Sequence, residues 1–139
     1  MIYLDNAATT MIDPVVLEAM LPYLTEQYGN AGTLYKLGRN AASAVQNARS
    51  QVARMFSCKE DNIIFTSGGS EGNNTVFKGV AAKLKEAGKL HIVVSAIEHD
   101  SVLRAAESLI KDGFYITYVK PDEEGCITFE AVEEAITPA

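Results

Sequence analysis

The stretch that most restricts this chain is Asn62-Ile63-Ile64-Phe65-Thr66-Ser67-Gly68-Gly69-Ser70-Glu71-Gly72-Asn73-Asn74, where an apolar run passes through a serine-glycine turn straight into a helical pattern. Asn62 to Thr66 reads as a short buried strand, and Glu71 to about Ala87 as a helix closed by Gly88. A strand that turns through glycines directly into a helix leaves the first helical N–H groups without partners, and the helix dipole adds positive potential there. Such a junction suits an anion, and Ser67 and Ser70 add hydroxyl donors. A plain connecting turn uses the same residue types, so the pattern leaves both readings open. Two nucleotide sites are excluded, because neither a GxxxxGKS/T loop nor a GxGxxG run with its later ribose carboxylate is present.

The segments around this junction extend the pattern. Upstream, Asp13-Pro14 caps a helix with Val16, Leu17, Met20, Leu21 and Leu24 on one stripe, expected to end near Gly29. Ala41, Val45, Ala48, Val52 and Met55 mark a second helix from about Gly38 to Phe56. Downstream, His91 to Ala96 reads as a strand, Asp100 to Asp112 as a helix closed by Gly113, Phe114 to Val119 as a strand and Phe129 to Ile136 as an acidic helix. Strand, helix, strand, helix, strand implies a parallel α/β layer. Three strands make a small sheet, and Ile136-Thr137-Pro138-Ala139 adds no closing strand, so the expectation is of an α/β layer that is cut short.

Composition narrows the chemistry. With 139 residues, 47% of them hydrophobic and 22% charged, the chain has the make-up of a soluble globular domain. Its net charge of −6 is opposite to what a phosphate-backbone binder needs, so neither nucleic acid nor an anionic membrane is an expected partner. Cys58 and Cys126 have no zinc-ligand or disulfide-framework spacing, and no metal site is expected. The start has no signal-peptide pattern and no run is long enough to span a bilayer, which leads to a cytoplasmic expectation.

The second chemical signal is Ser95-Ala96-Ile97-Glu98-His99-Asp100, where the next strand runs out and its helix begins. Ligands in open parallel sheets gather outside the carboxyl ends of the strands, which places His99 on the same rim as the Ser67 to Ser70 turn. A lone histidine at a helix start is more often a surface or capping group, and His91 is read that way. Glu98 and Asp100 read as favourable charges at a helix N-terminus, with Asp100 as its cap.

Taken in order, Tyr3-Leu4-Asp5-Asn6-Ala7-Ala8-Thr9-Thr10, Gly29-Asn30, Ala48-Arg49, Ile64 to Asn74, Glu98-His99 and Gly125-Cys126-Ile127 span the chain. In that combination it resembles the cysteine desulfurases, pyridoxal-phosphate enzymes of the class V aminotransferase group. The resemblance implies the first part of a fold-type-I large domain, a mixed, mostly parallel sheet flanked by helices. Residues 1–13 would be an arm of the small domain and active-site loop, and 14–139 the first part of the cofactor-binding large domain. It implies that Gly68, Gly69 and Ser70 cradle the cofactor phosphate, Ser70 standing where the family usually has Thr. It further implies that His99 stacks on the pyridine ring and passes protons, and that Asn6, Ala7 and Ala8 line the substrate side.

The same resemblance implies L-cysteine as substrate, L-alanine as product, and sulfur leaving as an enzyme persulfide for acceptor proteins that supply iron–sulfur clusters or thio-cofactors. A homodimer follows from it too. The family's cofactor-anchoring lysine, the Asp on the pyridine nitrogen, the Arg for the substrate carboxylate and the persulfide cysteine lie downstream of the matched region. The chain on its own is therefore expected to be inactive, none of its lysines occupying the anchoring motif. Where many relatives read Gly-Asn-Pro-Ser-Ser-x-His, this chain has Gly29-Asn30-Ala31-Gly32-Thr33-Leu34-Tyr35, a departure in one loop. Selenocysteine lyase chemistry and a non-catalytic phosphate- or cofactor-binding module or partner subunit are the alternatives that the residues leave open.

Overall fold

In the computed structural model, which describes residues 2–137, Asp13 starts the first helix as its sequence indicates. Its carboxylate accepts from the Val15 amide at 2.9 Å, and Pro14 occupies the first turn of α1 (Pro14–Thr25), where a missing N–H costs nothing. The helix stops four residues before Gly29, and Pro22 lies one turn from that end. The Pro22 carbonyl takes the N–H groups of both Glu26 and Gln27, which closes the last turn. α2 (Lys36–Met55) buries Gly38, Ala41 and Ala53, while Met55, expected on its packed stripe, is exposed. The loop that departs from the family pattern is tied by Asn30: its side chain accepts from the Gly32 amide at 2.8 Å and its carbonyl from the Thr33 hydroxyl at 2.8 Å. A Cβ on Gly38 would meet the Thr33 and Asn30 carbonyl oxygens at 2.5 and 2.6 Å, so α2 approaches this loop as closely as only glycine permits.

The chain divides into two compact units, one ending at Ile64 and the other starting at Phe65. The second is an α/β layer. β1 (His91–Ser95) and β2 (Tyr115–Val119) pair in parallel with His91 opposite Tyr115 and Ser95 opposite Val119. Ala81 of α3 (Gly69–Glu86), Leu109 and Phe114 form the core, with Phe77, Leu90, Ile92 and Ile116 packed on it. The intervening α4 (Asp100–Glu107) buries Ala105 and Ala106 almost completely, small residues that allow close packing against α3. A short final helix, α5 (Phe129–Ala135), is capped by the Thr128 hydroxyl, which accepts from the Ala131 amide at 3.2 Å. Among the described residues, no helix is long and apolar enough to cross a membrane.

Three expectations are corrected. Asn62–Thr66 is not a buried strand: Glu60–Asn62 forms a 3-10 turn, the following residues join no sheet, and Ile64 is 71% exposed. A strand is defined by a neighbour that takes its N–H and C=O groups, and the sheet among the described residues holds only β1 and β2. The helix expected to run from Asp100 to Asp112 ends at Glu107 and continues as a separate 3-10 turn, Ile110–Asp112, before Gly113 in the left-handed region at φ 94°. There the Ser108 hydroxyl bonds back to the Ala105 carbonyl at 2.7 Å and the Leu109 amide reaches Ala106, tightening the chain so that Leu109 enters the core. His91 begins β1 as expected, but it is a half-buried, bonded residue and not a surface or capping group. Its two ring nitrogens meet the Thr117 and Thr137 hydroxyls at 2.8 and 2.9 Å, and its ring stacks on Tyr115 at 4.5 Å.

Candidate active site

Gly68 starts α3 with no side-chain cap, so nothing in its own side chain occupies the helix mouth. The first intrahelical bond runs from the Gly72 amide to the Gly68 carbonyl at 3.1 Å, and among the described residues the amides of Gly69, Ser70 and Glu71 have no acceptor. These are the orphan donors of a helix N-terminus. A Cβ on Gly68 or Gly69 would meet nothing within 4 Å, so the space before these amides is open. Ser70 lies in the first turn with its hydroxyl available. Glu71 lies in the same first turn. Its carboxylate accepts from the Ser67 amide at 2.6 Å, and that hydrogen bond holds its pKa below the usual 4.5.

His99 lies at the head of α4 and is its cap, displacing Asp100 from the role expected of it. The extended backbone of His99 (φ −61°, ψ 148°) lets Nδ1 accept from the Ser101 amide at 3.0 Å, whereas Asp100 is already inside the first turn, where its charge faces the helix dipole. The Ser101 hydroxyl lies 2.8 Å from the same Nδ1 and accepts from the Asn73 side-chain amide at 2.9 Å. Asn73 stands one turn into α3 from Ser70, so this chain of hydrogen bonds joins the first turns of α3 and α4. The structure thus brings the Gly68–Ser70 turn and His99 to neighbouring helix starts, although the strand that the rim argument places before that turn does not form. Neither Asn73 nor Ser101 is singled out by the sequence reading. The available signal is Asn73 itself, a poor helix former in the early part of a helix, which is a residue type kept there when its side chain has work elsewhere.

Asn6, Ala7 and Ala8 lie in the other unit, within an exposed turn closed by the Ala8 amide on the Asp5 carbonyl at 3.1 Å. The Thr10 hydroxyl bonds to the Asn6 carbonyl at 2.9 Å and the Tyr3 hydroxyl to that of Thr9 at 2.7 Å. Cys58 is half-buried and Cys126 exposed, the latter after Gly125 in a turn organised by the Asp122 carboxylate. A cavity of about 300 Å³ lies apart from the helix starts, between α3 and β1, lined by Val76, Phe77, Val80, Leu84, Ile92 and Phe114.

The aminotransferase class-V family model matches residues 2–139. The chain belongs to the class-V aminotransferase family. Among relatives of this class-V chain is a cysteine desulfurase IscS from Clostridium botulinum, 43% identical over 136 residues, which is 98% of the chain and 34% of the relative. Solved structures agree in shape: a NifS-like protein superposes with a TM-score of 0.86 at 32% identity, over 99% of the chain and 37% of its own length. SspA in complex with cysteine superposes with a TM-score of 0.85 at 38% identity, over 98% and 39%. The chain spans about a third of the length of the curated relatives it matches. The α/β architecture is therefore that of the pyridoxal-phosphate-dependent class-V enzymes.

The residues present fit the phosphate end of that cofactor. Three partnerless amides, one hydroxyl and an open approach suit a phosphate dianion. The imidazole at the next helix start offers a flat face for an aromatic ring.

Proposed function

We propose that this chain is the phosphate-binding part of a pyridoxal-phosphate-dependent cysteine desulfurase. The observation that carries the reading is the open, uncapped start of α3 joined through Asn73 and Ser101 to His99. On this reading the Gly68, Gly69 and Ser70 backbone and the Ser70 hydroxyl bind the phosphate, and His99 lies against the pyridine ring. Asn6, Ala7 and Ala8 line the substrate side from an arm formed by residues 1–13, with 14–139 the first part of the large domain. Bound pyridoxal phosphate supplies the electron sink for cleaving the carbon–sulfur bond of L-cysteine. The protein's part is to hold that cofactor by its phosphate, orient the ring against His99, and keep a titratable imidazole at the reacting centre. L-alanine is the product, and the sulfur passes as a persulfide to acceptor proteins that build iron–sulfur clusters or thio-cofactors. The naming of the relatives and the cysteine-bound SspA structure support this choice of substrate. The working form is a cytoplasmic homodimer.

The test is titration of the isotope-labelled chain with pyridoxal phosphate, followed by NMR. Shifts at the Gly68–Ser70 amides and the His99 ring are expected. Pyridoxal without its phosphate should leave the amides unmoved. If the cofactor perturbs neither site, the reading fails. L-cysteine-dependent sulfide release by the protein carrying this chain tests the substrate, and release from another substrate with none from cysteine refutes that assignment.

A further inference from the structure

We infer that Asn73 and Ser101 are positioning residues that dictate which nitrogen of His99 carries the proton. The argument runs along one line of hydrogen bonds. The Asn73 Nδ2 group only donates, so the Ser101 hydroxyl oxygen, 2.9 Å away, accepts from it. The Ser101 hydroxyl, 2.8 Å from His99 Nδ1, then has its one proton and a second lone pair left for that nitrogen, and the backbone decides between them. The Ser101 backbone N–H, which also only donates, reaches the same Nδ1 at 3.0 Å. Nδ1 thus faces two donors and holds no proton of its own. The proton of the neutral imidazole is on Nε2, the nitrogen these contacts leave free.

The orientation has a consequence for the site, resting on the function proposed above. With the cofactor ring against its face, His99 presents an Nε2–H donor at its free edge. Asn73 acts at one remove, its side chain bonding to the Ser101 hydroxyl and so biasing that hydroxyl's proton away from itself and toward the ring. Because Asn73 is on α3 and His99 on α4, the same contact that docks the two helices sets the proton on the ring.

The experiment is a long-range proton–nitrogen correlation spectrum of the ¹⁵N-labelled chain at a pH where the imidazole is neutral, with His91 assigned from a His91→Gln variant. His99 is expected as the Nε2–H form. Ser101→Ala removes one of the two donors and should move the population toward Nδ1–H by roughly two- to tenfold, the effect of one ordinary hydrogen bond. Asn73→Asp puts an acceptor where the donor was and turns the Ser101 hydroxyl away, so it should move the population at least as far. Ser101→Thr keeps hydroxyl and amide and should leave it unchanged. An Nδ1–H wild-type ring overturns the inference whatever the variants do, as does a population that ignores both Ser101→Ala and Asn73→Asp. Adding pyridoxal phosphate separates the two ideas: a ring that is Nε2–H but indifferent to the cofactor refutes the proposed function and leaves the proton assignment standing.

Discussion

Replacing Ser70 by Ala removes its hydroxyl from the first turn of α3 and leaves the amides of Gly69, Ser70 and Glu71 in place. A hydrogen bond to a charged group contributes about 1.5–3 kcal/mol, so the affinity for pyridoxal phosphate should fall roughly 10- to 100-fold. The helix itself should not suffer. Ser70 sits in the first turn, not at the cap position that Gly68 fills, and alanine has the higher helix propensity. Loss of affinity with an unchanged or slightly raised melting temperature therefore isolates the contact from the fold. Calorimetric or fluorescence titration of wild type, Ser70→Ala and Ser70→Thr measures it, with Thr expected near wild type because it keeps the hydroxyl. Pyridoxal is the internal control, since a ligand without phosphate should bind both forms equally weakly. Equal affinity of Ser70→Ala and wild type for the phosphate ester would refute the cradle. An equal loss for pyridoxal would refute it too, by showing that Ser70 acts on the ring.

Glu71→Gln tests the turn in another way: the Ser67 hydrogen bond lowers the Glu71 pKa, so its stabilising contribution is present above the unfolded value and lost as pH falls through the folded one. The stability gap between wild type and Glu71→Gln should thus exist near neutrality and close on acidification below about pH 4.5; a gap independent of pH would contradict the contact. Gly79→Ala, in the interior of α3 where a Cβ meets nothing within 4 Å, should stabilise by about 0.5–1 kcal/mol, seen as a melting point a few degrees higher. Phe114→Ala empties the middle of the Ala81–Leu109 cluster and should cost about 3–5 kcal/mol in denaturant titrations, and a loss below about 1 kcal/mol would show that the cluster does not hold this unit together.

Much of this layout is legible in the residues because its causes are local. Asp13-Pro14 caps α1, Gly88 and Gly113 end their segments with positive φ, and the β-branched runs at His91 and Phe114 become parallel strands. Each of these depends on atoms within a few positions along the chain, where propensity, capping and apolar period act. The open amides of Gly69 to Glu71 belong with them, since an uncapped helix start leaves partnerless amides wherever it is placed.

What the tertiary structure decided are the features whose causes lie far off in sequence. Ile63 to Thr66 has strand composition and joins no sheet, because being a strand requires a neighbour and no run of residues carries its neighbour with it. His99 and Asp100 are both reasonable candidates for the cap of α4 on local grounds. The histidine takes it in a fold where the Ser101 hydroxyl also reaches Asn73, 28 residues earlier on another helix. A hydrogen bond depends on distance and angle, not on separation along the chain, so the identity of that cap and the direction of its proton exist only once α3 and α4 have packed.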